Sequence, residues 1–148
     1  MRIAFDPYTR KRLVLLVALA AGVCAALVLS RPTRGALSAH YRVQTTEGRR
    51  AYLHALGWEI DPASEDIRET AVPATMDAML ADYNALQRSQ GFDLRPYLGQ
   101  TVTVVTYSVV NAEAPTEVTL WIANAIVIAG DVHTTAVDGE MRGIIPAA

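Results

Sequence analysis

The sequence predicts an α+β protein: an N-terminal transmembrane helix followed by a small two-layer domain, with two helices on one face of a four- to five-stranded, mainly antiparallel sheet. Three observations carry this expectation. Residues 13–29, "LVLLVALAAGVCAALVL", hold no charged or strongly polar side chain. Residues 75–90 repeat apolar side chains at helical spacing, and residues 101–132 form runs rich in Val, Thr, Ile and aromatics broken by turn-type residues. With 51% hydrophobic residues in a chain of 148, there is enough apolar material for one core.

The elements follow in chain order. Residues 1–12 form a basic N-terminus, with Arg2, Arg10, Lys11 and Arg12. As a helix, residues 13–29 would extend roughly 25 Å, and the flanking Arg12 and Arg31 can snorkel outward to lengthen that reach. The denser basic cluster lies upstream, so the expected topology is N-terminus cytoplasmic and C-terminal domain extracytoplasmic. The competing expectation is secretion after signal cleavage. Against it, the basic "LSRP" at residues 29–32 offers no small-residue cleavage site, and the next candidate, Leu37-Ser38-Ala39, lies well downstream. Cys24 is the only cysteine, which excludes an intramolecular disulfide. Ala18, Gly22 and Ala26 form a stripe of small residues through which two anchor helices could pair.

Residues 30–46 mix Pro, Gly, Ser, Thr and Arg without a period and read as a tether, leaving residues 47–148 as the extracytoplasmic domain. A first helix is expected at 47–56, with Thr46 as its cap and Gly57 just past its end. Residues 58–61 alternate as a short strand that Pro62 terminates, and residues 65–72 read as a second strand of weaker pattern. The helix at 75–90 carries Met76, Met79, Leu80, Tyr83 and Leu86 on its apolar side. Strands at 101–111, 117–123 and 125–132 then form a meander whose corner at Asn124 is tight enough for a hairpin. The order is α-β-β-α-β-β-β.

The corner "RSQGFDLRPYLGQ", residues 88–100, is accounted for without a ligand. Gly91 suits the left-handed position that closes the helix, Phe92 is placed to fold back on Leu86, and Asp93 can accept backbone N–H groups in the next turn. Arg95 alone has no assigned role.

Several stretches together resemble a known family: "LGWEI" (56–60), "VP" (72–73), "YNALQRSQGFDLRPYLG" (83–99), "YSVVN" (107–111) and "IAGDV" (128–132). In order and spacing they resemble the bacterial family called domain of unknown function 4830, over about residues 47–145, most specifically at 83–99. The resemblance implies a single extracytoplasmic α+β domain on an N-terminal anchor, and it brings no catalytic residue or ligand. It also leads one to expect a Cys where this chain has His133, and a second Gly where it has Ala129.

Charge and motif content narrow the function. Residues 1–46 carry 7 basic and 1 acidic side chains, a net of +6, whereas residues 47–148 carry 6 basic and 14 acidic, a net of −8. An acidic domain argues against nucleic acid as its partner. No Gly-x-Ser-x-Gly elbow, His-Glu-x-x-His helix or Gly-rich phosphate loop is present. Asp131 and His133 share one face of a predicted strand, with Asp138 and Glu140 downstream, and such a pair can orient a general base or begin a metal site. Polar residues are also ordinary at a solvent-exposed strand end, and His40 and His54 lie on unrelated elements, so no catalytic, cofactor-binding or metal residue is assigned and no cofactor is expected. Trp58, Tyr83, Phe92, Tyr97, Tyr107 and Trp121 are expected mainly as core or rim packing.

The leading expectation is a non-enzymatic, membrane-tethered module that binds or senses a protein or peptide of the cell envelope. The alternatives are a small envelope enzyme or metal-binding protein using Asp131 and His133, and a structural or oligomerisation module acting through the anchor helix.

Overall fold

The computed structural model describes residues 38–136 and 139–145. The expected cytoplasmic segment, the transmembrane helix at 13–29 with its stripe of Ala18, Gly22 and Ala26, and Asp138 lie outside the described residues. Among the described residues no helix is long and apolar enough to cross a membrane.

The domain is α+β, with two α-helices and a five-stranded antiparallel sheet. Helix α1 spans Thr46–Ala55 and α2 spans Ala78–Ser89. The strands are β1 (Asp66–Ala71), β2 (Thr101–Val109), β3 (Thr116–Ala123), β4 (Ile126–Thr134) and β5 (Met141–Gly143), and their order in the sheet is their order in the chain.

Local chemistry explains most boundaries. Thr45, rather than Thr46, caps α1 by accepting the Gly48 N–H at 3.1 Å. Gly57, at φ 90°, closes the helix, with the Trp58 N–H bonded to Leu53 O and the Gly57 N–H to His54 O. Asp77 caps α2 through the Leu80 N–H at 2.8 Å, so the helix starts three residues later than its apolar spacing implies. At the other end Gly91 takes φ 88°, and the Phe92 N–H bonds Gln87 O while the Gly91 N–H bonds Arg88 O. This is the Schellman ending expected from "QGF". Phe92 does not fold back on Leu86, however; it is buried in the core that includes Val105 and Leu120.

Two strand expectations change. Residues 58–61 are reduced to a single bridge between Ile60 and Val109, because Pro62 starts a 3-10 turn at once. β5 was not expected; its three residues are too short for a periodic signal, and pairing with β4 across Val132 and Arg142 creates it. The β3–β4 hairpin turns on Asn124 and Ala125, at φ 49° and 68°, the paired positive values of a two-residue I′ turn.

The larger correction concerns the layers, because the helices lie on opposite faces of the sheet. Val105 pairs with Leu120 and Tyr107 with Val118, and these side chains join Tyr52 and Leu53 of α1 in one buried cluster. Val104 pairs with Trp121 on the alternate face, where Val102, Val104 and Ile128 join Leu80 of α2 in a second cluster. A bulge between Trp121 and Ile122 inserts Ile128 into β4. It therefore places the consecutive Ile128 and Ala129 in the same cluster, against the usual alternation. Strands that alternate apolar on both faces need cover on both, and one helix on each supplies it.

Residues 38–45, within the stretch read as a tether, pack on the domain. Val43 is fully buried, and a Cβ at Gly48 would lie 1.8 Å from Tyr41 O, so the 3-10 turn Ala39–Tyr41 rests directly on α1.

Candidate functional site

Helix α2 has two stripes at i, i+4, i+7 spacing. Leu80, Asn84 and Gln87 are buried, whereas Met79, Tyr83 and Leu86 lie along the edge of a groove, with Met79 82% exposed. Of the apolar side that the sequence placed inward, Met76, Met79, Leu80, Tyr83 and Leu86, Leu80 is buried, Met76 and Tyr83 pack partly buried against its cluster, and Met79 is left exposed. The polar stripe wins because its side chains satisfy backbone groups that packing would otherwise orphan. Asn84 Oδ1 accepts the Leu94 N–H at 2.8 Å, and Gln87 Oε1 accepts the Gly130 N–H at 2.8 Å. Gln90 Nε2 donates to Gly130 O at 3.0 Å, and Gln90 Oε1 accepts the Ile145 N–H. β5 is too short to pair Gly130, so two glutamines stand in for its missing backbone.

The groove beside this stripe has a volume of about 940 Å³ and touches all five strands. Val104, Thr119 and Trp121 form its floor, Met79, Tyr83 and Leu86 one wall, and Met141 the far side. Its lining is predominantly apolar. The Tyr83 and Trp121 rings meet at a centroid distance of 5.8 Å, so these two of the six aromatics face the groove; Phe92 and Tyr107 are core.

At the β4 end stands the pair that the sequence singled out. Asp131 and His133 do share a face, but Asp131 is only 4% exposed, not at a solvated strand end. Tyr83 Oη donates to Asp131 Oδ1 at 2.8 Å, and His133 Nδ1 lies 3.0 Å from Asp131 Oδ2. The ring thus stands between two carboxylates, with Nδ1 toward Asp131 and Nε2 3.5 Å from Glu117 Oε2. Burial, and then the Asp131 charge, hold the Tyr83 phenol well above its ordinary pKa, so it remains a donor. The line Tyr83–Asp131–His133–Glu117 thus presents an oriented imidazole at the groove's end. Glu117 and Tyr83 were not legible as partners, because α2 and β3 bring them there from distant sequence. Among the described residues, no group of three or more His, Cys, Asp or Glu side chains is arranged to hold a metal ion.

A second polar cluster lies beneath α1. Arg49, 4% exposed, donates from Nε to Tyr107 Oη at 2.6 Å, from Nη1 to Val43 O at 2.9 Å and from Nη2 to Glu65 Oε1 at 2.6 Å. Tyr107 Oη also donates to Glu65. Burial pushes the Tyr107 phenol up to about 12. Burial also opposes ionisation of Glu65, but hydrogen bonds from Tyr107, Arg49 and Thr46 outweigh it and hold its pKa below the ordinary value. This cluster is closed by its own partners and ties α1 to the sheet. Arg95, left without a role by the sequence, forks onto Asp93 with Nη2 at 2.5 Å from Oδ2, which holds the Asp93 carboxyl well below the usual range.

No curated protein and no solved structure matches the chain. A family model described as Domain of unknown function (DUF4830) matches residues 52–135, which run from α1 through β4 and include the groove floor, α2 and the Asp131–His133 pair. Because that match covers more than half of the chain, the protein belongs to the DUF4830 family.

Proposed function

We propose that this protein is a membrane-anchored extracytoplasmic binding module whose ligand lies in the groove between α2 and the sheet. One observation carries the reading: α2 buries Asn84 and Gln87 while Met79, Tyr83 and Leu86 stay along an open groove of about 940 Å³. A helix that turns two amides inward beside Leu80 and leaves Met79 exposed and Leu86 half-buried at an open groove has an unmet apolar contact. Methionine suits such a wall because its flexible thioether adapts to different partners. The anchor rests on residues 13–29 and the basic cluster before them.

Two measurements test the reading. With methyl-labelled methionine in the full chain in lipid nanodiscs, short apolar peptides should move the Met79 and Met141 signals and leave Met1 unmoved. If no peptide in such a panel moved either groove signal, the binding role would be lost. A C-terminal reporter that works only outside the cytoplasm should be active, and activity inside would overturn the topology.

A second reading rests on the buried Asp131 that bonds His133 Nδ1. It makes the protein a small envelope enzyme with Nε2 as general base. In that case His133→Gln would abolish turnover while leaving peptide binding at the methionines intact.

A further inference from the structure

The shape and charge of the groove narrow its occupant. α2 crosses the sheet: the chain enters it after β1, and Gln87 and Gln90 at its other end bond Gly130 of β4. β2 and β4 have nine residues each, about 30 Å of strand. Packed helices sit about 10 Å apart, so α2 leaves room on its face for a second helix beside it. The groove occupies that room and reaches from Arg68 on β1 to Met141 on β5. Four inter-strand spacings make about 19 Å, the rise of about 13 helical residues.

The charges on the groove are mostly of one sign. Asp77 and Asp82 stand exposed on the α2 side, and the buried Asp131 lies at the β4 end. Arg68 is the one arginine among the lining residues. A cleft with a low-dielectric wall and a net negative rim concentrates cations.

We propose that the groove is the docking site of an amphipathic helix bearing basic side chains. Its apolar face lies on Met79, Leu86, Trp121 and Met141, and its lysines or arginines face Asp77 and Asp82. This rests on the groove being the binding site, and it adds the class of partner.

The test uses the full chain in phosphatidylcholine nanodiscs, which carry no net lipid charge. Two fluorescein-labelled helical 14-residue peptides, one of Leu and Lys and one of Leu and Glu in the same pattern, are followed by anisotropy. The Leu/Lys peptide should bind and the Leu/Glu peptide should not. Met79→Asp and Asp82→Lys, both at exposed positions, should each weaken Leu/Lys binding about tenfold. Equal binding of both peptides, sensitive to Met79→Asp, would refute the charge selection and leave the groove reading standing. Leu/Lys binding that neither substitution alters would refute the docking site. If neither peptide bound, the amphipathic-helix proposal would fall, while the methionine methyl signals would still judge the groove with other occupants. If Arg31→Glu together with Arg34→Glu raised the affinity, the chain's own basic segment would be the occupant and the partner proposal would fail.

Discussion

Arg49 shows how a single residue can outweigh the pattern around it. Nothing in "TEGRRAYLHA" distinguishes Arg49 from Arg50, yet one is buried under α1 and the other is exposed. Removing the guanidinium leaves Glu65 and Tyr107 half-paired in a partly dry site, so Arg49→Ala should cost about 3–5 kcal/mol in urea unfolding. Wild-type stability should also fall in acid. The folded pKa of Glu65 lies below its unfolded value, so its contribution is present above the unfolded pKa and is lost as pH falls through the folded one. Arg49→Ala should flatten that acid limb, and an unchanged limb would show that Glu65 does not supply it. At the β3–β4 corner Ala125 holds φ 68°, a conformation that costs a β-carbon-bearing residue and costs glycine little. Ala125→Gly should therefore raise stability by about 0.5–1 kcal/mol, read as a higher urea midpoint at constant slope.

Elements are where sequence periodicity succeeds and then stops. Both helices, the edge strand β1 and the three long strands were legible, since caps, glycines and alternation are local signals. The face that α2 presents to the core was not. Counting apolar spacing selects Met76, Met79, Leu80, Tyr83 and Leu86 together, but only Leu80 is buried. Gly130, paired with Leu120 of β3, has no partner on the β5 side, and Gln87 and Gln90 supply its bonds there. Gln87→Ala should cost about 2–3 kcal/mol, because it strands a buried N–H and opens space under the helix. Met79→Gln, about two turns earlier on the other stripe, should stay within about 0.5 kcal/mol of wild type. The reverse ranking in thermal or urea unfolding would mean that the apolar stripe is the packed one.

At the scale of the whole molecule, the sheet separates two cores. Leu53 of α1 and Leu80 of α2 lie in different clusters on opposite faces. Leu53→Val and Leu80→Val, each costing about 1 kcal/mol, should therefore add to within about 0.5 kcal/mol in the double variant. Strong coupling would instead indicate helices that share one face, as the two-layer expectation had it. The separation also matters for the site, because α1 fills its face with Tyr52, Leu53 and the Arg49 cluster whereas α2 leaves the groove open beside it.

The sequence by itself determined the α+β class, the helix ends at Gly57 and Gly91, the Asn124 corner, the shared face of Asp131 and His133, and the family. Each depends on residues near one another in the chain, or on spacing that a strand or helix turns directly into direction. Tertiary structure alone decided that the helices lie on opposite faces, that Asp131 is buried between Tyr83 and His133, that Arg49 is a core residue, and that the apolar stripe of α2 faces a groove. Those outcomes turn on which unsatisfied backbone groups and half-covered faces meet across the fold. Such meetings join residues as far apart as 83 and 131, and no local period records them.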